Sequence, residues 1–343
     1  MDVGVNYPWC DYGWDFGPAP PGWRSHPTPR WAATIDEHLR HFQRLGISVV
    51  RWFVLGDGLT YGTGDQAPRQ ERAGGRWRFD PPALDSSTLE HFDLLLQRFE
   101  RASATRPIQL LPVLVDFYFC DAGTHPLERP DPLDATREMA DPAWVKQGRA
   151  EAIVDADKRR RFLAATLDQF LQVSARRRDA IYAWELINEP EWMTNGWHPD
   201  RRSDHPVDEP AMRDFIIEGM ERVRRAGFKP TVGFALLDTL RRTGLTGEIN
   251  QFHHYPGGRR ALDAHAFDDR YPGIIGECAT AETDVWPELP RSGQGVLNRL
   301  RLAERQQYPL TLLWSFLQQD RHSAWSADVE AQVRAFTTAH QRA

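Results

Sequence analysis

The chain is poor in cysteine: Cys10, Cys120 and Cys278 are its three thiols among 343 residues. Their number is odd and their spacing fits no metal-ligand pattern, so neither a disulfide framework nor a zinc site is expected. C-x-x-C, G-x-S-x-G and H-E-x-x-H are absent, which leaves thioredoxin, serine-hydrolase and zincin chemistry without their motifs. Gly56 to Gly64 is glycine-rich but lacks the G-K-S/T of a phosphate loop, and no G-x-G-x-x-G occurs in a strand-turn-helix setting, so no cofactor is implied. A formal net charge of −6, with arginines scattered among acids, sets nucleic acid and anionic membranes aside as partners. No apolar run approaches the roughly 20 residues that would span a bilayer. N-x-S/T does not occur, and Val3 to Trp9 reads as a strand rather than the start of a leader. A cytoplasmic, reduced protein fits these absences; a secreted one with its signal peptide removed is the alternative.

What the chain does have is 41% hydrophobic residues and a regular alternation of two kinds of segment. Near-continuously apolar runs are Val3 to Tyr7, Ser48 to Leu55, Ile108 to Phe119, the run from Ile181, Thr231 to Leu236, Ile249 to Tyr255, Gly273 to Cys278 and Leu310 to Leu317. Runs of that kind suit strands buried on both faces. Between them, helical spacing recurs over Ile35 to Leu45, Leu89 to Ala102, Asp157 to Ala175, Glu209 to Arg225, a short piece near Thr239, an irregular piece before strand seven, and Leu297 to Gln307; Val329 to His340 closes the chain. Eight alternations predict an α/β fold, a closed (β/α)8 TIM barrel of one domain over 1–343, with a doubly wound open sheet as runner-up. Connections after the first four strands are long and aromatic: Trp9, Trp14, Trp23 and Trp31 follow strand one, and Trp192, Trp197 and His198 follow strand four. In a parallel barrel these enlarged βα loops gather at the carboxyl ends of the strands, where active sites are built.

Strand four reads I-Y-A-W-E-L-I-N-E-P-E-W from Ile181 to Trp192. Pro190 ends the ladder, placing Asn188 and Glu189 at the mouth of a buried strand with Trp184 and Trp192 on either side. Acid, amide and stacking surface together suit sugar chemistry. Strand seven, Ile274-Ile275-Gly276-Glu277-Cys278, supplies a second carboxylate at its own end. The Asn188-Glu189-Pro190 motif and this Gly276-Glu277 ending resemble the acid/base and nucleophile motifs of clan A retaining glycoside hydrolases, (β/α)8 barrels that include family 5. That resemblance implies carboxyls about 5 to 5.5 Å apart and double displacement with retention.

The resemblance extends to four further positions. Arg51 on strand two looks like the arginine that holds the nucleophile, and pairing with Glu185 is a structural alternative or addition for it. His253 and Tyr255 fit an H-x-Y pattern on strand six, sharing one face while His254 points away, with Tyr255 expected to donate to Glu277. Trp314 on strand eight looks like the platform tryptophan beside the cleavage point, and Asn188 would bind the sugar 2-hydroxyl. Many family 5 members carry a histidine near the end of strand three, where this chain has Asp116-Phe117-Tyr118. Contacts to the sugar there must differ.

These features imply a retaining β-glycosidase acting on a carbohydrate substrate. Glu277 is the expected nucleophile and Glu189 the acid/base, its pKa held up by the charge of Glu277 until the glycosyl ester removes that charge. A transglycosidase or a non-catalytic carbohydrate-binding barrel would share the same residues. Trp9, Trp14, Trp192, Trp197 and Trp286 are candidate stacking surfaces. A metal is not expected at the histidines, because adjacent strand residues face opposite sides.

Overall fold

The computed structural model describes the chain apart from residues 12, 19–28, 71–76, 122–129, 132, 133, 139–145, 198–204, 264–271, 318, 319 and 341–343. Trp23, His198 and most of the irregular piece expected before strand seven lie outside the described residues. Eight parallel strands close into a barrel: β1 (Asp2–Asn6), β2 (Ile47–Phe53), β3 (Gln109–Asp116), β4 (Trp184–Asn188), β5 (Pro230–Phe234), β6 (Asn250–His254), β7 (Gly273–Ala279) and β8 (Leu310–Trp314). Each pairs in parallel with its sequence neighbour, and β8 returns to β1 with Asp2 opposite Leu310, so the open-sheet alternative is excluded. Outside the barrel lie α1 (Ile35–Leu45), α2 (Ser86–Ser103), α3 (Ala156–Ala165), α4 (Leu167–Ala175), α5 (Glu209–Arg225), α6 (Leu237–Thr243), α7 (Val296–Arg305) and α8 (Ala327–His340).

Local chemistry sets several of these bounds. Helix α1 stops at Gly46, whose φ of 81° lies in the left-handed region and whose N–H caps the carbonyls of Phe42 and Gln43. The helix expected over Asp157 to Ala175 divides at Thr166, where the hydroxyl donates back to Phe162 O at 2.7 Å and the backbone leaves helical values. Strand β3 ends at Asp116 rather than Phe119, because the Asp116 side chain accepts from the Phe117 N–H and starts a 3-10 turn over Phe117–Cys120.

The barrel interior is layered by the two-residue period of its strands. Val49, Leu111, Ala183, Ile249, Ile274, Leu310 and Leu312 make an apolar plug towards the amino ends. Two residues further along, Arg51, Glu185 and Gln251 form a buried polar layer. Two residues beyond Gln251, His253 reaches the mouth, where the strand ends at Asn188 and Glu277 join it across shifts in strand register. A separate, larger apolar core lies outside the barrel, including Leu39, Phe42, Phe92, Phe170, Trp184 and Phe215.

Candidate active site

The polar layer is organised by Arg51. All five of its N–H donors are used: Nε and Nη2 grip the Glu185 carboxylate at 2.7 and 2.6 Å, Nη1 donates to Asn6 Oδ1 at 2.8 Å and to Glu277 Oε1 at 2.7 Å, and Nη2 also reaches Asn188 Oδ1 at 2.7 Å. Burial opposes the charge on Arg51, yet Glu185 and Glu277 more than offset it and raise its pKa. Both alternatives raised for this residue from sequence hold at once: it pairs with Glu185 and it holds Glu277. Gln251 Nε2 adds a bond of 2.8 Å to Glu185. This contact requires Gly233 on the neighbouring strand, since a Cβ there would stand 2.2 Å from Glu185 Oε1.

Above this layer stand the two carboxyls of interest. Glu277 faces His253 across the β6–β7 register and takes the Tyr255 hydroxyl on Oε2 at 2.7 Å, as the H-x-Y spacing implied. Glu189 follows the last residue of β4 with φ 45° and ψ 52°, a left-handed conformation that costs a non-glycine residue on the order of 1–3 kcal/mol. Its N–H binds Gly233 O at 2.6 Å, and its carboxylate accepts from His253 Nδ1 at 2.7 Å and Trp192 Nε1 at 2.6 Å. His253 Nδ1 lies 3.5 Å from Glu277 Oε1 as well, so the ring bridges the pair. One oxygen of each glutamate and one His253 nitrogen all fall within 4.8 Å of one another.

These three groups hold their protons jointly. Burial and the neighbouring Glu189 outweigh His253, Arg51 and Tyr255 at Glu277, whose pKa is raised. At Glu189 burial also raises the pKa, but the hydrogen bond and charge of His253 and the bond from Trp192 outweigh it, and the pKa is lowered. His253 is raised: burial opposes its charge, and Glu277 and Glu189 overcome that. The elevation of Glu189 expected from Glu277 is outweighed by His253 and Trp192, and its pKa moves the other way. The two shifts run in opposite senses, and both favour an imidazolium at His253 facing a carboxylate at Glu189 across the 2.7 Å contact.

Could the same trio hold a metal ion? It is the one group of suitable ligand atoms among the described residues. Its oxygens are already taken by Arg51, Tyr255, Trp192 and His253, and a guanidinium 2.7 Å from Glu277 opposes a second cation.

Glu189, Glu277, Asn188, His253 and Tyr255 all line one cavity of about 1320 Å³ at the carboxyl ends of the strands. This exceeds the roughly 300–1,000 Å³ usual for a small-molecule site and leaves room for several sugar-sized units. Trp9, Trp192 and Trp314 present partly exposed rings to it, Trp314 being fixed by a 2.9 Å bond from Nε1 to Asp320. Trp14, Trp197 and Trp286 do not line it and are corrections to the sequence reading. Trp14 is buried. Trp197 packs against Phe234 beneath Arg213, and Trp286 lies edge-on to His254 beside Arg299. Loop composition shows that a ring is present, not whether it turns to the cleft or to the core.

Other residues of the site were not singled out from sequence. Asn6 and Gln251 support Arg51 and Glu185; Gln251 could have been found two residues before His253 on the same face. Glu191 is fully buried, accepting the N–H groups of Ala235 and Leu236, with burial pushing its pKa up to about 7. Asp116 lines the cavity and accepts from Asn188 Nδ2 and the Phe117 N–H, both at 2.8 Å. Burial and the charges of Glu189 and Asp57, only partly countered by Asn188, push it up to about 8.

The class these features define is a parallel eight-strand barrel with a polar cavity at the strand ends, the fold implied by the resemblance to clan A and family 5. The beta-1,4-D-mannanase of Cryptopygus antarcticus superposes with a TM-score of 0.65 at 16% identity, over 98% of this chain and 89% of that one. The beta-mannanase of the blue mussel Mytilus edulis gives 0.59 at 15% identity, over 98% and 91%, and Thermotoga maritima Cel5A in complex with mannotriose gives 0.51 at 12%, over 97% of each chain. No protein-family model and no curated protein matches the sequence. At such identities the likeness is one of fold.

Proposed function

We propose that the protein is a retaining β-glycoside hydrolase acting on neutral β-linked oligosaccharides. The observation that carries this is the pairing of Glu189 and Glu277 in one cavity, with an oxygen of each and the His253 nitrogen within 4.8 Å. Inverting enzymes need roughly 6.5–9.5 Å between the carboxyl groups to seat a water, whereas double displacement uses about 5–5.5 Å. The supports differ as the roles require. Glu277 is held by the permanent charge of Arg51 and by Tyr255, which orient it as a nucleophile. Glu189 is held by a histidine, a group that can share a proton with it.

In the first step a Glu277 oxygen bonds to the anomeric carbon as the glycosidic C–O bond breaks. Glu189 passes the proton it shares with His253 to the departing oxygen. The resulting ester neutralises Glu277. Glu189, a carboxylate beside a His253 that has given up its proton, takes a proton from water as that water attacks the anomeric carbon and releases Glu277. Asn188 donates to the 2-hydroxyl, and Trp9, Trp192 and Trp314 offer ring faces to sugars.

The test is turnover of aryl β-glycosides and β-linked oligosaccharides by wild type and Glu277→Gln, with early products followed by NMR. Because the solved structures above include β-mannanases, β-1,4-mannooligosaccharides head the panel. Loss of activity in the variant and a β-anomer as first product are expected. An α-anomer as first product, or an active Glu277→Gln, would sink the assignment.

A further inference from the structure

Asn188 is more tightly determined than a strand-end amide needs to be. Its Oδ1 accepts from Arg51 Nη2 at 2.7 Å, and one of its two Nδ2 hydrogens goes to Asp116 Oδ1 at 2.8 Å. An arginine can only donate and a carboxylate oxygen carrying two N–H bonds can only accept, so the amide cannot flip. One Nδ2 hydrogen remains for a ligand. Asp116 sits opposite Asn188 in the β3–β4 register. Both of its bonds fall on Oδ1, and Oδ2 has no partner among the described residues. The Oδ2 side is not sealed by packing: Asp116 is only partly buried, and it lines both the main cavity and an adjoining recess of about 70 Å³ between Trp9, Tyr118 and Asp57.

From this geometry we propose that Asp116 is a specificity-determining residue, fixing the Asn188 amide and completing with it a two-point contact to the 2-hydroxyl of the sugar whose bond is cleaved. The inference rests on the hydrolase reading above. A hydroxyl is both acceptor and donor: it accepts the remaining Asn188 N–H and meets Asp116 Oδ2 with its second hydrogen-bonding function. The pair selects a hydroxyl over hydrogen at that position, because a 2-deoxy sugar leaves a cavity-facing amide and carboxyl without partners.

The experiment compares kcat/KM on an aryl β-glycoside and on its 2-deoxy analogue for wild type, Asp116→Ser and Asp116→Asn. Serine can still cap the Phe117 N–H but is too short to hold Asn188, whereas asparagine keeps an oxygen at Oδ1 and a polar atom at Oδ2. The preference for the 2-hydroxyl, taken as the ratio of the two substrates, should fall about 10- to 100-fold in Asp116→Ser, as for a polar group left without its hydrogen-bond partner. Turnover of the 2-deoxy substrate, which cannot make the contact, should fall less than that of the parent glycoside, and a melting temperature near wild type reports that the variant folds. Asp116→Asn should recover most of the preference. Equal losses on both substrates in Asp116→Ser, or an unchanged ratio, overturn the proposal. Should the serine variant not fold, collapse of the ratio in Asp116→Asn to no preference at all would do so instead. A wild type inactive on every β-glycoside would remove the hydrolase reading and this inference with it, whereas an active wild type with an unmoved ratio removes only the inference.

Discussion

The two sides of Arg51 use the same chemistry to opposite ends. Below the guanidinium, towards the apolar plug, Glu185 is fully buried, gripped by two arginine nitrogens and Gln251. Above it, Glu277 bonds to one arginine nitrogen and Tyr255, with a cavity in front of it. A carboxylate saturated on every side can only hold the fold; one restrained from behind and open in front can react. Strand β4 and the turn that follows it make the same distinction. Glu185, Glu189 and Glu191 fall within seven residues, yet only Glu189 lines the cavity, since Glu191 is spent on the N–H groups of Ala235 and Leu236.

Removing groups from each side should separate these roles. Glu277→Gln is expected to lower turnover by about 10⁴-fold or more while leaving the melting temperature near wild type, as removal of a nucleophile does in other covalent enzymes. Glu189→Ala should cost about 10²–10⁴-fold on substrates with poor leaving groups and much less on activated aryl glycosides, with azide restoring turnover as a β-glycosyl azide. A Glu189→Ala enzyme matching wild type on unactivated substrates would end its assignment as the acid. Glu185→Ala should do its damage in the fold, destabilising by about 3–5 kcal/mol because Arg51 is left buried beside an empty site. Chemical denaturation measures this. A stable Glu185→Ala protein that had lost only activity would erase the contrast between the two sides of Arg51.

A smaller effect tests where the catalytic proton is kept. His253 is raised above its usual value by Glu277 and Glu189, and it carries the proton shared with Glu189. The acid form is therefore present below the raised His253 pKa and is lost as pH rises through it, so the alkaline limb of kcat/KM should lie above about 6.5, the ordinary histidine value. In His253→Gln the proton must sit on a carboxyl, and the limb should move to lower pH. An unmoved limb would mean that another group stores the proton.

Much of this arrangement was legible in the sequence because a parallel barrel writes its strands as unbroken apolar runs and its interior as a two-residue period. Arg51 stood out as the polar break in such a run, His253 and Tyr255 came from the H-x-Y resemblance, and the structure sets all three beside Glu189 or Glu277. The titration order of the glutamates was not legible. It depends on a hydrogen bond of 2.7 Å between strand ends 64 residues apart, and no spacing within one strand reports such a bond. Nor could the role of Asp116 be read, because its importance comes from which oxygen is already occupied.

Tryptophan orientation was the other gap, and it gives the mildest of these tests. Trp9 and Trp286 both come from βα loops, but Trp9 is partly exposed on the cavity wall while Trp286 is fully buried against His254 and Arg299. Trp286→Ala removes a closed packing group and should destabilise by about 3–5 kcal/mol, with substrate affinity changing only as far as folding does. Trp9→Ala leaves an open wall, so stability should stay within about 0.5 kcal/mol, the range of surface substitutions. Its effect should be on KM for oligosaccharides, a few-fold rise from the lost stacking face, with kcat on a short aryl glycoside unchanged. Were Trp9→Ala to unfold the protein while Trp286→Ala altered only KM, the division of these rings between cleft and core would be inverted.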